Sequence, residues 1–363
     1  MVTSKKRIGI LCSPELSMNE VRFLSNLGKM LHDRVELHLI GTNRISNLKR
    51  HYIYYDYPVP LPFRFHVKLG IFYKCYKYLR RVRPAVLFNQ TNKYNKDFII
   101  ASLGRLFGIK TIVRSGGEAF SLYTKRQGFL RKLKSFLERN IFSRIGFLLA
   151  DKIVVLGENG KRELTRHGIS SKKIVILPQP IDRSQFNKNY DKLEIRNKLG
   201  LPSGTKIILF IGRLVYEKGI DIIISLIPKI NSLRSDLFFV FIGEGPYKNA
   251  LNRLKNRYQN VQVVGEVDIK DVDKYIKASD LLLLPSRSEG LPNVILEAMA
   301  CGVPVCASPV GEIKYLTRNV CYDFDEFMEF LMREEWYPDP LPETFALRKI
   351  KRDYLDLFGI KPN

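Results

Sequence analysis

Short, unbroken apolar runs recur along this chain, separated by longer segments whose apolar residues fall at helical spacing. Ile8–Cys12, Val35–Leu39, Val86–Phe88, Thr111–Val113, Ile153–Val155 and Ile174–Leu177 make a first series. Ile207–Ile211, Leu237–Ile242, Val261–Val264, Leu281–Leu284 and Pro304–Ala307 make a second. Strands that are apolar throughout must be covered on both faces, as in a parallel sheet flanked by helices. Alternation of such strands with helices supplies the crossovers that parallel pairing needs. The pattern therefore predicts two doubly wound α/β sheets. Between the series, LPQPIDRSQFNKN (Leu177–Asn189) has two prolines and polar residues and reads as a linker. In the tail, Phe345, Ile350, Tyr354 and Leu357 are spaced for a final amphipathic helix.

The candidate chemistry sits in the second series. In PSRSEGLPNVILEAMACGVPVCASPVGE (285–312), Glu289 and Gly290 fall where the LLLLP strand ends and the PNVILEAMA helix begins. Open α/β sheets bind ligands at such ends, and unpaired N–H groups at a helix start attract anions. Glu297 follows about two helical turns later, close to the same face. Two carboxylates and free N–H groups suit sugar hydroxyls and a phosphate. Upstream, IILFIGRLVYEKGID places Gly212 at a strand exit, with Arg213 and Lys218 flanking the turn before a helix. An Arg fork and a mobile Lys charge would neutralise a diphosphate. Taken alone, a basic turn is usually a solvated loop, and a strand–loop–helix with solvated charges is the plain reading of the glutamate segment.

The order strand–Gly-Arg–x4–Lys-Gly, FIGEGP (Phe241–Pro246), VVGEV (Val263–Val267), ASDLLLLPS and the double-glutamate helix resembles the family 4 retaining glycosyltransferases, the group 1 glycosyl transferases of GT-B architecture. The match is specific over roughly residues 150–315. The resemblance implies two Rossmann-like domains facing across a cleft. They would be an acceptor-binding domain, 1–178, completed by a C-terminal helix, 342–363, and a nucleotide-sugar donor domain, 186–335. It implies transfer of a hexosyl unit, with retention, from a nucleotide-diphosphate sugar to a lipid-linked or glycan acceptor. Arg213 and Lys218 would bind the diphosphate and, with Glu289, form the catalytic group. Glu289 would hold donor-sugar hydroxyls, and Gly290, Leu291, Pro292 and Asn293 would offer backbone contacts. Glu297 would take the ribose, while Gly243, Gly245, Gly265 and Val267 would line the nucleotide pocket.

The chain also departs from the family pattern. Ser13-Pro14-Glu15-Leu16-Ser17 stands where a glycine pair usually follows the first strand, and Arg114-Ser115-Gly116-Gly117-Glu118 replaces a histidine-bearing turn. Ser13, Arg114, Ser115 and Gly116 are thus acceptor-side candidates by position. Gln179 and Pro180 replace the Asn and Gly of the family hinge, and the segment after Glu312 is shortened to KYLTRNVCYDFDEF.

A length of 363 residues suits about two domains. The five cysteines and five histidines are scattered without metal-ligand spacing. The expectation is reduced thiols, no cofactor and no metal. No apolar run approaches a membrane span, and MVTSKKRIGILCS reads as a first strand rather than a secretory leader.

The net charge of +24 is unevenly placed: residues 1–150 hold 28 Lys and Arg against 8 Asp and Glu. That asymmetry points to a polyanionic partner. Basic residues interleave with apolar and aromatic ones at 63–84 and at 122–149, which suits the interface of an anionic membrane. An ordinary amphipathic helix packed on its own sheet explains the same pattern. The expected setting is cytoplasmic and peripheral to the membrane. Nucleic acid is disfavoured as partner, since no RNP, KH, zinc-finger or helix-turn-helix signature is present. A GT-B nucleotide-sugar epimerase and a basic nucleic-acid-binding protein remain the alternative readings.

Overall fold

The computed structural model describes residues 5–12, 16, 18–41, 48–60, 67–90, 96–116, 138–186 and 190–361. The chain divides into two compact units, Met1–Pro180 with Thr344–Asn363, and Ile181–Glu343.

The first unit carries a seven-stranded sheet in the order β3-β2-β1-β4-β5-β6-β7. Its strands are β1 (Lys6–Leu11), β2 (Val35–Ile40), β3 (Ile53–Tyr55), β4 (Val86–Asn89), β5 (Lys110–Arg114), β6 (Lys152–Val155) and β7 (Ile174–Ile176). Every pairing is parallel. β3 has no counterpart in the sequence reading. It is a three-residue edge strand whose side chains are exposed or half-buried, so it presents no apolar run. Helices α1 (Met18–Leu31), α2 (Val67–Val82), α3 (Lys96–Phe107) and α4 (Arg144–Leu149) pack around this sheet. On α2, Ile71, Cys75, Tyr78, Leu79 and Val82 are buried. The Tyr78 hydroxyl pairs with His38 Nδ1 at 2.8 Å, and His38 Nε2 meets Glu36 Oε1 at 2.6 Å.

The second unit holds a five-stranded parallel sheet in the order β10-β9-β8-β11-β12. The strands are β8 (Lys206–Ile211), β9 (Leu237–Ile242), β10 (Val261–Gly265), β11 (Leu281–Leu284) and β12 (Val305–Ala307). Leu281–Leu284 are all fully buried, as a strand covered on both faces requires. Helices α5 (Ile220–Asn231), α6 (Asn293–Ala300) and α7 (Phe324–Met332) belong to this unit. The shortened segment after Glu312 still closes the sheet. Ala307 bridges Val320, with Ala307 N–H to Asn319 O at 3.1 Å and Cys321 N–H to Ala307 O at 3.0 Å. Cys321, Phe327, Phe330 and Leu331 complete the core there.

The predicted terminal helix is α8 (Leu347–Leu357), and it belongs to the first unit. Tyr354, fully buried, contacts the rings of Phe23, Phe88 and Phe358 at centroid distances of 6.3, 6.4 and 5.9 Å. Each such pair adds about 0.5–1.5 kcal/mol beyond the area it buries. That cluster holds the last helix on the first sheet.

Candidate functional site

In the second sheet the chain runs outward from β8 to β9 and β10, then returns to the other side of β8 for β11 and β12. The loops leaving β8 and β11 therefore diverge, and the carboxyl ends of these neighbours form the switch point at which such sheets bind ligands. Both sequence-predicted loops are here. Gly212–Gly219 follows β8, and Pro285–Pro292 follows β11.

The two loops are fastened to each other. Lys218 Nζ lies 2.5 Å from Glu289 Oε1, and both side chains are largely buried. Ser286 Oγ donates to the same carboxylate oxygen at 2.7 Å. Among the described residues, Glu289 Oε2 makes no bond. Lys218 closes a 3-10 turn, Tyr216–Lys218, and Gly219 follows in the left-handed conformation at φ 71°. A Cβ on Gly219 would stand 1.9 Å from Pro285 O, so only glycine allows this approach. Gly311, at φ 59°, fits the other side in the same way: its Cβ would stand 2.1 Å from Glu289 O. Glu312 N–H bonds Gly290 O at 2.9 Å.

Sequence reasoning missed the clamp behind these loops. Arg287 makes parallel bonds to Asp221 Oδ1 and Oδ2, both 2.7 Å, and a third to Tyr216 O at 2.7 Å. Its guanidinium also lies 3.8 Å from the centroid of the Tyr216 ring. One arginine thus ties the turn carrying Lys218 to the loop carrying Glu289. The signal was present, since Arg287 and Asp221 lie inside the two quoted motifs, but their pairing spans 66 residues.

The other predicted donor positions divide. Arg213 is exposed, and its side chain has no partner among the described residues. Gly243 N–H bonds Gly265 O at 2.8 Å, which aligns the exits of β9 and β10 beside that of β8. Val267 is half-buried against the core. Gly290 is half-buried, Leu291 is buried, and Pro292 caps α6, which begins at Asn293. The spacing argument for the glutamates is corrected here. Glu289 precedes the helix by four residues and is not on it, because a proline at the cap biases the residue before it away from helix. Glu297 lies one turn into α6, only 2% exposed.

In the first unit, Arg114 ends β5 and is buried. Its Nη2 donates to Gln179 Oε1 at 2.7 Å, and its guanidinium lies 4.5 Å from the Phe23 ring centroid. Among the described residues its Nε has no partner, and burial pushes its pKa down. Gln179, in the predicted linker, thus holds this arginine. Ser115 is buried and Gly116 exposed, whereas Ser13 lies outside the described residues. At the neighbouring end of β4, Asn89 Nδ2 donates to Asp97 Oδ1 at 2.5 Å. Asp97 is fully buried, and desolvation raises its pKa to about 7 against the bond from Asn89 and the nearby Lys96 charge. The basic segment at 122–149 is described only from 138 onward, and the 63–84 segment only from 67.

The comparisons agree with this architecture. The family model described as glycosyl transferases group 1 matches residues 191–319, and that of glycosyltransferase family 4 matches residues 21–185. The chain belongs to the group 1 glycosyl transferases, and its fold is GT-B.

Among curated relatives, the putative teichuronic acid biosynthesis glycosyltransferase TuaC of Bacillus subtilis is 38% identical over 164 residues. That stretch covers 45% of this chain and 40% of TuaC. A GDP-mannose-dependent monoacylated alpha-(1-6)-phosphatidylinositol monomannoside mannosyltransferase of Corynebacterium glutamicum is 36% identical over 145 residues, 37% of this chain and 38% of the relative. The chain thus spans about two fifths of the length of these relatives. Anabaena HepE, solved with UDP and glucose, matches 98% of this chain and 99% of its own with a TM-score of 0.74 at 14% identity. WaaG, a glycosyltransferase involved in lipopolysaccharide biosynthesis, matches 96% and 95% with a TM-score of 0.66 at 17% identity.

Proposed function

We propose that the protein moves a hexosyl unit, with retention, from a nucleotide-diphosphate sugar to a lipid-linked or glycan acceptor at the cytoplasmic face of an anionic membrane. The observation that carries this reading is the contact of Lys218 with Glu289 at the switch point of the second sheet. A cation suited to phosphate and a carboxylate suited to sugar hydroxyls, side by side, support this reading. A relative that uses GDP-mannose and a fold neighbour holding UDP and glucose support a nucleotide-sugar donor. The concentration of positive charge in residues 1–150 supports the anionic surface.

As the bond from the sugar to the diphosphate breaks, negative charge grows on the departing phosphate oxygens and positive charge on the sugar ring. Lys218 and Arg213 neutralise the leaving group, as pre-aimed cations do where charge develops. Arg213 has no side-chain partner among the described residues and can reach the ligand. Amides at the start of α6 give further donors. Glu289 accepts from a sugar hydroxyl through Oε2 and fixes the ring, while Glu297 meets the ribose hydroxyls. The burial of Glu297 strengthens that bond, since the local dielectric is low. Protein cations do the neutralising, so this mechanism requires no metal. Retention with front-face attack comes from the family resemblance; no nucleophile is assigned.

Incubation of the protein with a panel of UDP-, GDP- and ADP-sugars tests the reading. Nucleoside diphosphate release that rises with a polyprenyl-phosphate sugar or glycan acceptor, giving a product of unchanged anomeric configuration, is the expected result. Interconversion of donor sugars without release would make the protein an epimerase.

A further inference from the structure

We propose that a groove on the first unit, between β3 and the outer face of α2, binds the phosphate of an anionic lipid headgroup. This deepens the membrane part of the reading above and does not depend on sugar transfer. The groove has a volume of about 460 Å³ and is lined chiefly by Tyr57, Tyr73, Tyr76, Lys77, Arg80 and Arg81.

Three features make it an anion site rather than a solvated helix face. Among the described residues, Lys77, Arg80 and Arg81 have no carboxylate partner, whereas adjacent Lys74 is held by Asp56 at 2.5 Å. Nearby tyrosines orient two of these cations: Lys77 Nζ lies 5.6 Å from the Tyr73 ring centroid and Arg80 Cζ 5.9 Å from that of Tyr76. Among the described residues, the buried Tyr57 hydroxyl has no hydrogen-bond partner, so it offers an unused donor. An isolated buried hydroxyl is unfavourable unless something accepts from it. A phosphate offers several strong acceptor oxygens for one hydroxyl and a cluster of cations.

The surroundings select a lipid. Leu69, Phe72, Tyr73, Tyr76 and Arg80 fall at i, i+3, i+4, i+7 and i+11 along α2 and share one face. Val67, Leu69 and Phe72 are 51%, 44% and 41% exposed, and the Phe72 and Tyr76 rings stack at 6.4 Å. Apolar side chains at one end of the face and cations at the other match the acyl and headgroup levels of a bilayer surface. A nucleic acid would use the tyrosines and cations but gain little from exposed aliphatic groups.

The test is cosedimentation of the full chain with vesicles of phosphatidylglycerol in phosphatidylcholine, and of phosphatidylcholine alone. Preferential binding to the anionic vesicles is expected. In the Lys77→Gln/Arg80→Gln/Arg81→Gln variant it should weaken on the order of 100-fold, about five-fold per charge. Tyr57→Phe should weaken it several-fold. Leu69→Ser/Phe72→Ser should lose vesicles but keep soluble dihexanoyl-phosphatidylglycerol. Nucleoside diphosphate affinity, measured on the same samples, belongs to the second unit and should not move. It therefore separates failure of this site from failure of the transfer reading.

Equal binding to both vesicle types, or by the triple and Tyr57→Phe variants, overturns the proposal. Displacement of vesicles by inorganic phosphate, with Leu69→Ser/Phe72→Ser silent, would make this a free-phosphate site. Oligonucleotide binding that needs the three cations, without vesicle binding, would reassign it to nucleic acid. If the triple variant does not fold, Tyr57→Phe and the vesicle comparison decide.

Discussion

Replacing Arg287 by alanine separates a geometric account of the donor site from one based on residue identity alone, because Arg287 need not touch a ligand. Its side chain makes three bonds of 2.7 Å and stacks on Tyr216 at 3.8 Å. Shielded bonds to charged groups are worth about 1.5–3 kcal/mol each, exposed ion pairs about 0–1 kcal/mol. The Arg287 and Asp221 side chains are 21% and 33% exposed, which places this set between those limits. With a cation–π contribution of about 0.5–1 kcal/mol, Arg287→Ala should cost roughly 2–3 kcal/mol. For a unit of this size that lowers the midpoint of thermal unfolding by roughly 4–12 °C.

Part of the same loss falls on the turn that presents Lys218. If the turn becomes less populated in its binding geometry, apparent affinity drops by the populated fraction, and 1.4 kcal/mol of disorder is about ten-fold. Calorimetric titration with the nucleoside diphosphate, alongside scanning calorimetry, reads both effects. Arg287→Lys should recover little, since an ammonium cannot make the paired bonds to Asp221. A lowered midpoint with unchanged nucleotide affinity would refute the coupling and leave the clamp a packing device.

Three further outcomes follow from the same geometry. Glu289→Gln should impair turnover and sugar choice while sparing affinity for the free nucleoside diphosphate, and Glu297→Gln should weaken nucleotides with or without sugar; equal loss in both contradicts the division. Asp97 binds its proton more tightly folded than unfolded, with a pKa of about 7 against about 3.9 for a free aspartate, so the folded state holds the extra proton between these values and loses stability as pH rises through that window. Asp97→Asn, which keeps the acceptor for Asn89, should therefore exceed the wild type in urea stability at pH 8, with the gap closing towards pH 5; a pH-independent gap removes the ionisation argument. Arg114→Met should lower stability, through loss of the Gln179 bond and the Phe23 contact, without changing nucleoside diphosphate affinity in the second unit; altered affinity there counts against independent sites.

Much of the fold was legible because buried parallel strands announce themselves as unbroken apolar runs. Leu281–Leu284 is such a run and needs no partner information to be read. β3 failed the same test because an edge strand that is half-exposed is no more apolar than a loop. The site was legible where one short segment carries it, as with Gly219, Gly290 and Asn293 beside their strand ends. Pairings across long separations were not legible. Neither Arg287 with Asp221 nor Arg114 with Gln179 follows any local period, and only the folded sheet brings them together. The burial of Arg114 is the clearest case, since an arginine ending a strand ordinarily reads as a solvated or ligand-facing charge. Glu297 was misplaced relative to Glu289 because helical spacing was extended across Pro292, where the helix had not yet begun.

The central claim is that the loops after β8 and β11 form one diphosphate-binding site. Calorimetric titration of UDP, GDP and ADP into the wild type, Arg213→Ala and Lys218→Ala tests it most directly. One of the nucleotides should bind with unit stoichiometry, and each substitution should weaken it by about 1.5–3 kcal/mol, roughly ten- to 150-fold. Binding of none of the three to the wild type, or equal affinity in all three proteins, would contradict the account.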